Sequence, residues 1–233
     1  MVPGWADKKL RLGLGGSFVS RYQADDDPTR KLPENVGAGA GRLNVGYGKF
    51  SFNGEYAYKA NDPSYDNTYI YKPGQAIYMN FSWAQKGFGA HFSTKWIDNM
   101  SFRSDRNAAQ TNLSLDYLPA ISKTNTYRLT TLYPYATQPN GEFGLAGEVF
   151  FKLKAGSALG GHYGTNVAIA GSRIKDIART AASNAEDGYE SQLFSEGTQT
   201  FYEDASIEIT HKIKSGTKVI LSYYYQVYNK NVI

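Results

Sequence analysis

From Gln75 to Trp83 the chain reads Gln-Ala-Ile-Tyr-Met-Asn-Phe-Ser-Trp, with Ile77, Met79, Phe81 and Trp83 on one parity and mostly small or polar residues on the other. A period of two places successive side chains on opposite faces of an extended backbone, so this segment predicts a β-strand. The pattern returns about eleven times along the chain, and no segment carries a convincing helical period. The apolar face of such strands covers either a protein core or lipid. That choice decides most of what the chain can do.

The alternation continues with few breaks. Leu10, Leu12, Leu14 and Phe18 share one face of a first strand, and a Pro- and charge-rich loop, 23–35, follows. Leu43, Val45 and Tyr47 then oppose Arg42 and Asn44. A tight turn at Gly48-Lys49 leads to Phe50, Phe52, Tyr56 and Tyr58, opposed by Ser51, Asn53, Glu55 and Ala57. After a second long polar loop and the Gln75–Trp83 strand, a turn at Lys86-Gly87 brings Phe88, Phe92 and Trp96 opposite His91, Ser93 and Lys95. Further strands are expected at Leu113–Tyr117, Tyr127–Tyr135 and Phe143–Leu153. Another carries Tyr163, Thr165, Val167 and Ile169. The longest loop is expected over Lys175–Thr198, with a brief helical turn in Ile174–Ala182. The last pair carries Ala205, Ile207 and Ile209, then Val219, Leu221, Tyr223 and Tyr225, joined at Ser215-Gly216.

Long loops alternate with short turns. In an antiparallel meander, successive connections fall on opposite ends of the sheet, so one end would carry tight turns and the other long loops. Outer-membrane barrels have this asymmetry, with short periplasmic turns and long extracellular loops. The alternative is a soluble barrel or sandwich with the apolar parity inward. It would have to bury many Phe, Trp and Tyr while its opposite, watery face carried many Gly and Ala and few charges. Small and mixed polar residues suit a crowded lumen better. With 19 Tyr, 12 Phe and 3 Trp in 233 residues, the chain is also rich in the rings that gather at membrane interfaces. The expected architecture is therefore all-β: one transmembrane antiparallel up-and-down β-barrel of about twelve strands, since bacterial single-chain barrels have an even number.

Composition excludes several functions. There is no Cys, hence no disulfide or thiolate chemistry. The net charge of +4 comes from scattered Lys and Arg, not from the stripe that a nucleic-acid interface would concentrate. A mean hydropathy of -0.48 and the lack of an ~18-residue apolar run exclude a spanning helix but leave a spanning barrel open. The first residues have no apolar core of a signal peptide, so an exported protein would be present in a mature, trimmed or engineered form.

Four long strings, 16–35, 41–58, 98–106 and 133–141, resemble a Bacteroidota outer-membrane barrel family of unassigned function. The similarity is most specific from about residue 10 to residue 170. The resemblance implies a barrel in the bacterial outer membrane and brings no catalytic residues. Members of that family are longer, and this chain would begin inside their barrel. Many outer-membrane proteins end in an aromatic residue, whereas this chain ends Asn229-Lys-Asn-Val-Ile233.

Candidate lumen-lining residues are Arg11, Arg42, Asn44, Asn53, Glu55, His91, Lys95, Arg128, Glu148, Asn166, Glu208 and Gln226. Their charges could pair and fill the lumen or line a narrow selective channel. The candidate lipid-facing belt comprises Phe50, Phe52, Tyr56, Tyr58, Ile77, Met79, Phe81, Trp83, Phe88, Phe92, Trp96, Val219, Leu221, Tyr223 and Tyr225. His91 and His162 fall on the lumen parity and His211 on the apolar one, with no HxH or HExxH spacing for a metal. The glycines between Gly13 and Gly41 lack the strand-to-helix context of a dinucleotide loop, and Asp25-Asp26-Asp27 lacks a calcium-loop pattern. No GxSxG elbow occurs. The expectation is a passive pore or channel-like protein without catalysis or cofactor. Its partners would be a lipid bilayer, small hydrophilic solutes and no nucleic acid. The alternatives are a non-conducting barrel serving secretion or surface machinery, or another barrel, and a soluble all-β binder of an apolar ligand.

Overall fold

The computed structural model describes residues 9–108, 113–116, 118–124 and 131–232. Nine strands form a single antiparallel meander: β1 (Arg11–Tyr22), β2 (Asn35–Tyr47), β3 (Phe50–Lys59), β4 (Gly74–Gln85), β5 (Phe88–Asp98), β6 (Gly141–Leu153), β7 (Thr165–Ala181), β8 (Tyr189–Lys214) and β9 (Thr217–Tyr228). Each strand pairs with its sequence neighbours only, and β1 does not pair with β9. The sheet is open. Because every neighbouring pair is antiparallel, β1 and β9 run in the same direction. Among the described residues there is no α-helix, and short 3-10 turns lie at Tyr65–Asn67 and Ala185–Asp187.

Of the two strands expected between β5 and β6, the described residues do not join the sheet. Residues 113–116 make one isolated bridge, Ser114 to Arg103, and residues 131–135 are not strand, while Tyr117 and residues 127–130 lie outside the described residues. The physical reason is that β5 pairs directly with β6, from Phe88 opposite Phe151 to Asp98 opposite Gly141. No strand fits between them. The apolar residues of the β5–β6 connection pack on a face of the sheet instead. That removes two strands from the expected eleven and leaves the count odd.

The expected asymmetry of connections is present. Two-residue turns join β2 to β3 and β4 to β5, and Ser215-Gly216 joins β8 to β9. Gly48 (φ 60) and Gly87 (φ 78) supply the left-handed backbone of the first two turns. The β6–β7 link, 154–164, is longer than expected, because β7 starts at Thr165. At the other end, connections span 23–34, 60–73 and 99–140. The last is the longest. The expected long loop at Lys175–Thr198 is mostly an extension of the β7–β8 hairpin, with β7 reaching Ala181, and its expected helical turn is strand. Three register shifts between Ile174 and Arg179 bend it.

Cross-strand partners point to the same face, so the register assigns every strand residue. One row reads Leu12, Val45, Phe52, Phe81, Phe92, Gly147, Gly171, Ala205, Tyr225 across all nine strands. Phe52, Phe81 and Phe92 form a ladder with centroids 4.8 and 6.3 Å apart. The opposite face reads Gly13, Asn44, Asn53, Asn80, Ser93, Ala146, Ser172, Asp204, Gln226. The sheet thus has an apolar and a polar face. The long-loop end of the polar face is covered by the β5–β6 loop: Met100 packs with Ala76 and Ile97, and Tyr135 with Ile174, Phe201 and Tyr202. These two clusters are small, and among the described residues the apolar face is covered only at the long-loop end of β5, where Thr94, Trp96 and Asp98 are buried.

Candidate functional site

All eleven described lumen candidates lie on the polar face, in adjacent rows. Arg42, Glu55 and Lys95 share one row with Tyr78. Asn44, Asn53 and Gln226 fall in the next row, and Arg11, His91 and Glu148 in the one after it. Asn166 and Glu208 lie nearer the short-turn end. Arg128 lies outside the described residues.

Their chemistry is mostly pairing. Arg42 Nε lies 3.1 Å from Glu55 Oε2, both side chains being about 40% exposed, and Arg42 also donates to Ser17 Oγ at 3.0 Å. Glu148 pairs with Lys123 of the β5–β6 loop at 3.1 Å. His91 bridges two hydroxyls, Ser82 Oγ at 3.0 Å and Ser93 Oγ at 2.9 Å. Lys95 is buried. Its ammonium lies 2.6 Å from Glu142 Oε1 and donates to Pro119 O at 2.6 Å and Thr137 Oγ1 at 2.8 Å. The other Glu142 oxygen accepts from the Tyr135 hydroxyl and from the Gln138 amide at 2.8 Å. Burial, followed by the adjacent Glu142 charge, pushes the Tyr135 hydroxyl far above its usual range and keeps it a proton donor.

A second buried network ties three long connections together above this face. Arg21, at the end of β1, clasps Asp62 at 2.6 and 3.2 Å and donates to Arg103 O at 3.1 Å. Lys59, at the end of β3, donates to Ser101 O at 2.6 Å, and Arg103 Nε to Asp66 at 2.6 Å. Arg106 reaches the β1–β2 loop through Gln23 O and Pro33 O. Gln23 in turn donates to Asp105, whose carboxyl is held below its usual range first by the Asn107 amide and then by Gln23. Strand parity flags Arg21, Lys59 and Glu142, which continue the polar face past the residues singled out. Asp62, Asp66, Arg103 and Arg106 sit in loops, where no period marks them.

The fifteen belt candidates all lie on the apolar face by register. Leu14 (85% exposed), Leu221 (63%) and Tyr223 (67%) show how open that face is. Trp96 is the correction: it is 1% exposed and cannot belong to an exterior belt. Its row neighbours Ile77 and Phe143 flank it, and Phe194, from the bent extension of β8, meets Phe143 edge-on. At that same end Asp98 accepts from the Tyr189 hydroxyl and from Ser191 Oγ at 2.6 Å and pairs with Lys72 at 3.2 Å.

Among the strand residues of this face, Asp98, Arg173, Lys175 and Glu203 are charged, as are residues of the hairpin extension, and the bulge after Lys212 adds Lys214, opposite Thr217 beside the Ser215-Gly216 turn. On β1, β2, β3, β4, β6 and β9 the apolar parity carries no Asp, Glu, Lys or Arg. Of the histidines, His211 accepts or donates to Thr165 Oγ1 at 2.7 Å, and His162 lies in the β6–β7 link against Tyr163. The Asp25 and Asp27 carboxylates are spent on their own loop, Asp25 on the Leu32 amide and Asp27 on Thr29 and Arg30. No group of three or more His, Cys, Asp or Glu converges on one point among the described residues.

The model of a family described as "Family of unknown function (DUF6029)" matches residues 3–233, and the chain belongs to that family. The match extends past residue 170, where the earlier resemblance weakens. No curated protein and no solved structure matches the chain.

Proposed function

We propose that this member of the DUF6029 family is a membrane-embedded wall of a bacterial outer-membrane β-barrel, acting as a passive, non-catalytic pore for small hydrophilic solutes. The observation that carries this reading is the apolar face that runs across nine strands, largely uncovered and free of charge on six of them. A water-soluble monomer rarely leaves so continuous an apolar surface open. On β5 the apolar parity carries no charge from Phe88 to Trp96, a stretch close to the ~9–11 residues that a tilted strand needs to cross the hydrocarbon. In this reading the short turns are periplasmic and the long loops extracellular.

Lipid cannot hydrogen-bond the free edges of β1 and β9, so the wall must close. Because these two strands run in the same direction, antiparallel closure takes an odd number of further strands. Three would make the expected twelve. A second copy inserted the same way would meet this one in parallel seams, so the closing strands are assigned to other chain segments.

The polar rows then line the lumen, and the β5–β6 loop narrows it. Stepwise current in planar bilayers containing the purified, inserted protein tests the pore. Inserted protein that passes no current overturns it. A second reading, a non-conducting barrel that engages a partner through its loops, is favoured by one observation: buried ion pairs lock the three long connections into a single lid. Monodisperse behaviour in plain buffer, without detergent, overturns both.

A further inference from the structure

Between the polar face and the β5–β6 loop lies a cleft of ≈ 470 Å³, within the ~300–1,000 Å³ range of small-molecule sites. Its floor is a row of small side chains, Ser17, Ala40, Ala57 and Ala76, ending at Ile97. Its roof is Met100, Phe102, Leu115, Leu118 and Pro119. Beside the floor, one row toward the short-turn end, stand Arg42, Glu55 and Tyr78. Apolar residues from a loop meeting a sheet would ordinarily interdigitate and leave little space. Here four strands in succession present nothing larger than Ala or Ser, and the space stays open.

We propose that this cleft binds a single-chain amphiphile, with its apolar chain along the alanine row and an uncharged, hydrogen-bond-accepting head at Arg42. The floor and roof offer the chain chiefly dispersion contacts: the Ser17 hydroxyl is held by Arg42, and the Asp116 carboxylate, which also lines the cleft, accepts from the Phe102 amide and Ser114 Oγ. Arg42 spends Nε on Glu55 and Nη2 on Ser17, and a guanidinium has five N–H donors, so others remain for a head group. Glu55, across the strand pair, already neutralises Arg42, which sets the site for a hydroxyl rather than a carboxylate. The inference goes beyond the pore reading and does not depend on it, since the cleft faces away from the apolar surface.

The test is equilibrium dialysis of radiolabelled decanol and decanoate against the whole protein in amphipol, with amphipol alone as the blank. Saturable binding of one decanol per chain, at least tenfold tighter than decanoate, is expected. Ala57→Leu, which fills the floor, should weaken it at least tenfold, and Ala40→Val is the second variant if the first does not fold. Leu43→Ala, on the opposite face, should leave binding unchanged. Uptake no greater than the blank overturns the site. Tighter decanoate, or indifference to both floor variants, overturns it as well. A current-free bilayer would sink the pore and leave this result standing.

Discussion

Lys95 of β5 and Glu142 of β6 form a buried ion pair, Nζ to Oε1 2.6 Å, whose remaining hydrogen bonds all go to the β5–β6 loop. The pair is therefore the fastening of that loop on the polar face. Removing one partner leaves the other charge buried without its counter-ion, which costs ~3–5 kcal/mol, whereas removing both is far less severe. Lys95→Met alone and Glu142→Gln alone should each destabilise the protein by about that amount, and Lys95→Met/Glu142→Gln should recover most of it. Denaturant unfolding checks the energies. Amide exchange at Gln138 checks the location, because its amide bonds to Glu142 and should lose protection first. In bilayers, the double variant should conduct more than the wild type if the loop narrows a pore.

Trp96 is 1% exposed, and its indole N–H has no hydrogen-bond partner among the described residues. The ring therefore contributes by burial alone. Trp96→Phe keeps most of that contact and should cost less than ~1.5 kcal/mol, while Trp96→Ala should cost ~3–5 kcal/mol. Thermal unfolding separates the two. Equal losses would mean that the N–H is bonded after all.

Trp96 also marks where sequence reading stops. Its alternation with Lys95 and Ile97 fixed the face correctly, because a period of two is a local property of the strand. What lies on that face is not local. Phe194 arrives from a hairpin extension that bends at register shifts near Ile174–Arg179, in a segment whose charge and Gly content read as loop. For the same reason Leu113, Leu115 and Leu132 pass for strand residues. Their spacing is compatible with one, and only the direct pairing of β5 with β6 places their segments outside the sheet. Parity alone located Arg42, Glu55 and Lys95 in one row, but nothing in the sequence tells that Lys95 reaches Glu142 or that Arg21 reaches Asp62.

Asp27 accepts from the Thr29 hydroxyl at 2.7 Å, from the Thr29 amide at 2.8 Å and from the Arg30 amide at 2.9 Å. These bonds, the Thr29 hydroxyl first, draw its carboxyl down from 3.8 to about 2. A depressed folded value means the turn gains its full stabilisation above pH 3.8 and loses it as the pH falls through about 2. An NMR titration of the Asp27 carboxyl should give a midpoint near 2, moving toward 3.8 in Thr29→Val. A wild-type midpoint already at the unperturbed value would contradict the geometry.

The environment of the apolar face is decided by Leu221 on β9, 63% exposed, with Ile209 opposite it on β8. On a solvated surface Leu221→Arg touches nothing and should change stability by no more than ~0.5 kcal/mol. Against hydrocarbon the same change buries a guanidinium, at ~2–4 kcal/mol near the midplane of the bilayer. Ser222→Arg, the next residue and on the polar face, serves as the control, because a lumen or solvent environment tolerates the charge in either case. Refolding equilibria in lipid vesicles should show the large cost for Leu221→Arg alone. Equal, small effects of the two variants would remove the membrane from the account and leave the apolar face to a protein partner.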